Sequence, residues 1–311
     1  MWIPFVLTAV TIYTTTPLLK KRLAEIQPHL VHIDEEPYNL ATYHALRQAQ
    51  AVGAKSLFFS WQNLDRRYPP PFHQFEQYVL RHVDYAIMGN NDAVQVWRRK
   101  GYRGPYRVIP QFGVDPAIFQ PPARRDKGRG FIIGSANRRL VPEKGDDLLL
   151  NAAANLPGMW RLHIAGNGPA RPGLEQLAVD LGIADRVHFD GAIPSDQIPA
   201  YLQQMDVLVL ASRTLPNWKE QFGRVLVEAM ACETAVVGAQ SGEIANVIGE
   251  AGLTFPEGDA AALHEQLRRL IQSETLRDEL GRAGRQRVLN NYTQAQIAAQ
   301  TVAIYRDIMA N

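Results

Sequence analysis

The stretch Glu220-Gln-Phe-Gly-Arg-Val-Leu-Val-Glu228 sets two carboxylates eight residues apart. On one helix that spacing is a little over two turns, so both side chains would face roughly the same way. An ionised carboxylate accepts several hydrogen bonds and suits the hydroxyls of a sugar. Gly223, near the start of such a helix, allows close approach to the backbone, where free N–H groups favour phosphate or sugar oxygens. Taken alone, a solvated helix face is the more frequent source of this pattern.

A second constellation is Arg138-Arg139-Leu-Val-Pro-Glu-Lys144-Gly145, directly after an apolar run at 131–135. A strand that ends in a loop with fixed cations and then opens a helix makes a good diphosphate cradle. The helix N-terminus adds partial positive charge, and arginine can grip two phosphate oxygens at once. A solvated basic turn has the same composition, and local pattern does not separate the two. The third constellation, His163-Ile-Ala-Gly166-Asn-Gly-Pro169, places glycines between a strand and a helix. It lacks the full dinucleotide fingerprint, no P-loop occurs in the sequence, and a tight strand-to-helix turn explains it equally well.

The elements that must position these residues alternate between β-branched apolar runs and helical spacing, the signature of parallel sheets covered on both faces. Strands are expected at 30–33, 56–59, 85–88 and 107–109, with helices at 40–52 and 72–82. Residues 121–130 hold two prolines, two glycines, three arginines and a lysine, and read as a linker. Beyond it strands are expected at 131–135, 161–165, 187–190, 207–210, 235–238 and 253–255. A helix should start at Asp146 and three more from Asp259, Thr275 and Thr293, and Ser195 with Asp196 after Pro194 reads as a helix N-cap. Two doubly wound α/β domains result, with ligands expected at the carboxyl ends of the strands.

The bulk numbers agree. At 311 residues the chain exceeds one ordinary core. Hydrophobic content of 46% with 21% charged residues is that of a globular protein, and a net charge of +2 does not suggest a nucleic-acid binder. The single cysteine, Cys232, excludes an internal disulfide and a cysteine-built zinc site, fits a reducing compartment, and reads as packing. Residues 1–19 are rather apolar and Lys20, Lys21 and Arg22 follow them, whereas a signal peptide carries its charge first. A spanning helix needs about 20 apolar residues, and Pro4, Pro17 and five threonines interrupt this run. A buried strand entering a loop is the expectation.

Together, and in this order, the constellations resemble the family 4 retaining glycosyltransferases of the GT-B fold. Val108-Ile-Pro-Gln-Phe-Gly-Val-Asp115 with Phe119 is similar to the family's end-of-first-domain signature. Ile164 to Pro169 is similar to its second-domain strand-end motif, Glu220 to Glu228 to its paired-glutamate motif, and Ser241-Gly-Glu-Ile244 to its donor-side loop. The resemblance covers nearly the whole chain. It implies an α/β chain of two doubly wound parallel-sheet domains: an incomplete acceptor-side domain at 1–119, a nucleotide-sugar-binding domain at 120–290, and a helix at 291–311 folding back on the first domain.

The same resemblance implies residue roles. Arg139 and Lys144 would hold the donor diphosphate and neutralise it as it leaves. Glu228 would bind the ribose, and Glu220 with backbone groups of Gln221, Phe222, Gly223 and Arg224 would hold the donor sugar. Gly166 would line the donor site and Val187 would lie beside the base. Transfer would retain configuration by same-face attack, with a nucleotide-diphosphate sugar as co-substrate and neither cofactor nor metal. Three departures stand out. Arg138 replaces the glycine usual before the diphosphate arginine. Gln62 stands where a histidine is usual, and an amide cannot act as an acid. The family's opening strand and glycine-rich loop are expected to be missing, which predicts weakened transfer with donor binding intact.

Other expectations are plainer. Glu35 and Glu36, before Pro37 at a strand end, could line the acceptor side. His32, His163 and His188 read as core or edge histidines, and Trp97-Arg-Arg-Lys100 as a solvated face with membrane-surface docking the minority alternative. The expected partners are a nucleotide-sugar donor and an unidentified acceptor, with no nucleic acid and with an oligomer conceivable through the first domain. The expected location is the cytoplasm, including the inner membrane surface. A sugar-nucleotide epimerase or glycosyl phosphorylase on the same architecture, and a nucleotide-sugar binding module without turnover, remain open; a two-lobed solute-binding protein is disfavoured by the lack of an export signal.

Overall fold

A computed structural model describes residues 16–123, 128 and 130–310. The apolar run 2–13, for which a buried strand is expected, and half of the 121–130 linker lie outside these residues. The chain divides into two compact units. One comprises the described residues of Met1–Ile109 with Ala299–Asn311, and the other those of Pro110–Ala298.

The first unit runs α1 (Thr16–Ile26), β1 (Leu30–Ile33), α2 (Leu40–Ala51), β2 (Lys55–Ser60), α3 (Phe72–His82), β3 (Tyr85–Met88), α4 (Asn91–Arg99) and β4 (Tyr106–Val108). Its strands form one parallel sheet in the order β1-β2-β3-β4. The loop expected up to Leu19 is the first turn of α1, where Pro17 occupies an early position that tolerates its missing N–H. β2 is buried from Ser56 to Ser60, as a strand covered on both faces should be.

The helix α4 overturns the solvated-face expectation. The Asn90 side chain accepts from the Ala93 N–H and fixes the helix start, and Ala93, Val94, Val96 and Trp97 form its buried face. Trp97 is fully buried and its indole N–H donates to the Ser60 hydroxyl at 2.7 Å. Lys100 is nearly as buried, paired with Glu76 at 2.6 Å. Only Arg99 of this run is exposed. The alternation of cations hid an amphipathic helix whose apolar stripe ends in an ion pair.

The second unit runs β5 (Phe131–Arg139), α5 (Asp146–Ala153), β6 (Trp160–Asn167), α6 (Arg171–Asp180), β7 (Val187–Gly191), α7 (Ile198–Gln203), β8 (Val207–Leu210), α8 (Arg224–Ala231), β9 (Ala235–Ala239), α9 (Ile244–Ile248), β10 (Leu253–Phe255), α10 (Ala260–Gln272), α11 (Glu274–Asn291) and the first turn of α12 (Gln294–Ala310), whose remainder from Ala299 belongs to the first unit. Six parallel strands lie in the order β10-β9-β8-β5-β6-β7. The strand order reverses between β8 and β5, so the loops leaving those two strands diverge and open a crevice at their carboxyl ends. The Asp259 and Ser273 side chains cap α10 and α11. The N-cap expected at Ser195 is not made: α7 starts at Ile198, after a backbone turn from Pro194 to Gln197.

Residues 110–119, assigned from sequence to the first domain, belong to the second unit. Val114 bridges Thr293, and Arg285 donates to the Phe119 carbonyl. The last turns of α12 belong to the first unit, where the Tyr305 hydroxyl lies 2.6 Å from Nδ1 of His32. Among the described residues no helix is long and apolar enough to cross a membrane.

Candidate active site

The two loops flanking the reversal point of the second sheet are 140–145, after β5, and 211–223, after β8. β5 is longer than its apolar run. It continues through Arg138 and Arg139, with a register shift between Ala136 and Arg139. Both arginines are therefore on the strand's last residues, exposed, and not in a loop. The shift is accommodated by Gly166 at the carboxyl end of β6, whose φ is +122° and where a Cβ would overlap the Asn137 carbonyl. The backbone then ties this end of β5 to β6 through Leu140 N–H to the Asn167 carbonyl at 3.0 Å.

A single 310 turn, Pro142–Lys144, carries Lys144 across the crevice. Its ammonium donates to Oε2 of Glu220 at 2.7 Å, the Ser212 hydroxyl donates to the same oxygen at 3.0 Å, and the Trp218 ring lies 4.8 Å below the ammonium. The Lys144 and Glu220 side chains keep 21% and 13% of their surface exposed, so the pair is reachable from solvent. Beside it, Arg213 pairs with Asp147 at 2.7 Å.

The two glutamates do not share a helix. α8 begins at Arg224, with Gly223 as its left-handed cap, so Glu220 lies in the preceding loop. Glu220 is held there by its backbone as well: its carbonyl accepts from the Glu243 N–H at 3.3 Å. That approach requires Gly242, with φ +56° and no room for a Cβ beside the Glu220 carbonyl. The loop at 241–244 and the glutamate loop therefore support each other directly. Glu228 is on the second turn of α8, partly buried, with Arg224 at 2.7 Å. Burial raises the pKa of Glu228, and Arg224 opposes the shift.

The remaining expected residues divide. Gln221 and Arg224 are exposed, while Phe222 is buried against Tyr292. Val187 does not fit its expected place. It opens β7, is buried and pairs with Leu162, at the amino end of the strand, whereas the crevice lies at the carboxyl ends. The carboxyl end of β7 carries Asp190 and Gly191, and Asp190 accepts from Tyr201 at 3.0 Å and faces His163 at 3.1 Å.

Gln62, Glu35 and Glu36 belong to the first unit, just past the carboxyl ends of β2 and β1. Gln62 is buried, with its amide donating to the Leu64 carbonyl at 3.0 Å. Glu35 is exposed and its side chain accepts from the Asn39 amide. Glu36 accepts from the Ser60 hydroxyl at 2.6 Å and the Trp61 N–H at 2.9 Å, and desolvation pushes its pKa up to about 7.

Sequence reasoning missed Ser212, Trp218 and a buried group behind the 138–145 segment, Ser135, Asn137 and Asp146. The signal for Ser212 is its place just beyond a buried parallel strand; nothing local marks the others. Among the described residues no cluster of three or more His, Cys, Asp or Glu could hold a metal ion.

Residues 121–287 match the family model for glycosyl transferases, group 1. The chain belongs to that family. The matched stretch lies within the unit that carries the Lys144–Glu220 pair. The group 1 chain is 33% identical over 213 residues to an MMP alpha-(1->4)-mannosyltransferase of Mycolicibacterium hassiacum, covering 65% of this chain and 48% of the relative. It is 30% identical over 221 residues to the lipopolysaccharide core biosynthesis glycosyltransferase LpsE of Rhizobium meliloti, covering 70% of this chain and 63% of that one. A D-inositol 3-phosphate glycosyltransferase of Mycobacterium ulcerans is 32% identical, with 58% and 40% covered. The chain thus spans roughly half the length of these curated relatives.

Among solved structures, sucrose-phosphate synthase from Thermosynechococcus elongatus superposes with a TM-score of 0.76 at 24% identity, covering 95% of this chain and 77% of that one. Anabaena HepE, in complex with UDP, gives 0.80 at 20% identity, covering 94% and 82%. At such identities the likeness is one of fold, and it establishes the GT-B architecture of two parallel-sheet α/β domains.

Proposed function

We propose that this group 1 glycosyltransferase takes a sugar from a nucleoside-diphosphate donor and passes it to an acceptor hydroxyl with retention of configuration. The observation that carries this reading is the Lys144–Glu220 pair at the reversal point of the second sheet. It sets a cation for phosphate and a carboxylate for sugar hydroxyls side by side. Relatives named for mannosyl and N-acetylglucosaminyl transfer, one of them GDP-mannose-dependent, and a UDP-bound structural neighbour make UDP and GDP donors the first to try.

In this reading Arg139 and Lys144 bind the diphosphate, and their charge matters most as the bond to the anomeric carbon breaks and negative charge builds on the leaving oxygen. Glu220, with the backbone of Gln221 to Arg224, orients the sugar. Glu228 takes the ribose hydroxyls, and Gly166 lets the nucleotide approach the end of β6. The acceptor hydroxyl attacks on the face the diphosphate leaves, and a phosphate oxygen takes its proton. The products are a glycoside and the nucleoside diphosphate. Gln62 contributes hydrogen bonds only, and Glu35 and Glu36 serve the acceptor side.

Incubation with UDP- and GDP-sugars and candidate acceptors, followed by NMR of the anomeric proton, tests this. Product with the donor's anomeric configuration supports retaining transfer. Inverted product, or epimerised donor without transfer, overturns it.

A further inference from the structure

Behind the cradle lies a polar group that the function above does not use. Ser135, Asn137 and Asp146 are all buried, with 1%, 5% and 3% of their surface exposed. The Ser135 hydroxyl donates to the Asp146 carboxylate at 2.5 Å, and the Asn137 amide reaches both of its oxygens at 3.1 and 3.2 Å. The same amide lies 3.1 Å from the Ser135 hydroxyl oxygen. Three polar side chains in an apolar core are costly unless each is satisfied, and here each satisfies the others.

Their positions matter more than their number. Asn137 immediately precedes Arg138 and Arg139, at the register shift of β5, and Asp146 immediately follows Lys144 and Gly145 as the first residue of α5. The hydrogen bond between them joins the two ends of the segment that carries both cradle cations. Asp146 also sits at the positive end of α5, so its charge and an incoming phosphate would draw on the same helix field and the same lysine.

We propose that Asp146 is a positioning residue for the donor. With Asn137 and Ser135 it closes the 138–145 segment from behind, and its negative charge competes with the donor diphosphate for Lys144 and the first turn of α5. The inference rests on the reading of this segment as the diphosphate cradle. The groups facing the carboxyl are Ser135 and Asn137 from β5, Lys144 and Asp147 from its own segment, and Tyr201 from α7. Desolvation is the largest influence and pushes the Asp146 pKa up to about 6, with Ser135, Asn137 and Lys144 opposing it.

A diphosphate arriving nearby raises that pKa further, so binding takes up a proton. By linkage, the carboxylate weakens diphosphate binding at pH above the shifted value and ceases to do so once it is protonated. If binding raises the pKa by about one unit, the penalty at high pH is about tenfold in affinity.

The test is calorimetric titration with UDP and GDP, and with uridine and guanosine, from pH 5.5 to 8, on the wild-type chain, Asp146→Asn and Ser135→Ala. Because the ligand's own titration is common to all three proteins, the ratio of dissociation constants isolates the protein. Asp146→Asn should bind the diphosphate about tenfold more tightly than wild type at pH 8 and about equally at pH 5.5, while nucleoside binding stays the same. Ser135→Ala, which removes a donor that stabilises the carboxylate, should shift the wild-type transition to higher pH; it keeps the test decisive if Asp146→Asn fails to fold. A wild-type to Asp146→Asn ratio that does not vary with pH, or an unmoved profile in Ser135→Ala, overturns the proposal while the cradle stands. Failure of both diphosphates to bind the wild type overturns the cradle and this inference with it.

Discussion

The ammonium of Lys144 and the carboxylate of Glu220, 76 residues apart in sequence, meet at 2.7 Å across the reversal point of a six-stranded parallel sheet. Each is the product of its own loop: a 310 turn after β5 for the lysine, and a segment pinned to Glu243 after β8 for the glutamate. They pair with each other, and Ser212 donates to the same carboxylate oxygen. On the proposed function, a bound donor would exchange part of this pairing for contacts to phosphate and sugar.

The pair should also show in stability. Lys144→Ala and Glu220→Gln, alone and together, should reveal a coupling of about 1 kcal/mol in denaturant unfolding, the scale for a partly exposed, well-aligned pair. Strict additivity would mean that the contact contributes nothing to the fold.

Arg139 is exposed at the end of β5, where the proposed function has it bind phosphate. Arg139→Ala should weaken nucleoside diphosphate binding by about 1.5–3 kcal/mol, the range for charge-assisted hydrogen bonds. Binding of the bare nucleoside should hardly change. Equal losses for both ligands would remove Arg139 from the cradle.

The two glutamates should behave differently because they lie on different elements. Glu228→Gln should weaken nucleoside and nucleotide alike, as expected of a ribose contact. Glu220→Gln should lower turnover more than nucleoside diphosphate affinity. Matching profiles for the two variants would contradict the division.

Glu36 makes the first unit's stability depend on pH. Its pKa is about 7 in the folded state against 4.5 ordinarily, so the folded state binds more protons between those values. Stability from this group is therefore greatest at low pH and is lost as pH rises through 7. Between pH 5 and 8 the wild type should lose about 2–3 kcal/mol more than Glu36→Gln in denaturant unfolding. Parallel curves would show that the Glu36 carboxyl is not held in its neutral form.

The sheets were legible because buried parallel strands write themselves as short β-branched runs, and Leu30–Ile33, Tyr85–Met88 and Leu253–Phe255 match the expected bounds. What escaped was where polar residues go. Arg138 and Arg139 continue β5 because a strand's end may be polar once it passes the core. Glu220 left the helix because Gly223, placed by the sequence near the helix start, is the left-handed cap itself, so the helix begins only at Arg224. Lys100 and Glu76 are an internal pair, which composition alone cannot distinguish from two solvated charges. The triad of Ser135, Asn137 and Asp146 depends on side chains from a strand end and a helix start meeting in three dimensions, and no period in the sequence records that.

The most direct test of the donor site is a thermal-shift series on the chain with UDP, GDP, their sugar conjugates, and the matching monophosphates and nucleosides. A ligand that binds only the folded state raises its stability by about 2.7 kcal/mol at a hundred times its dissociation constant. A cradle built on Arg139 and Lys144 predicts a clear rise in melting temperature with at least one nucleoside diphosphate or its sugar, and little or none with the nucleoside. No rise with any diphosphate, or an equal rise with the bare nucleoside, would contradict a diphosphate-directed site in this crevice.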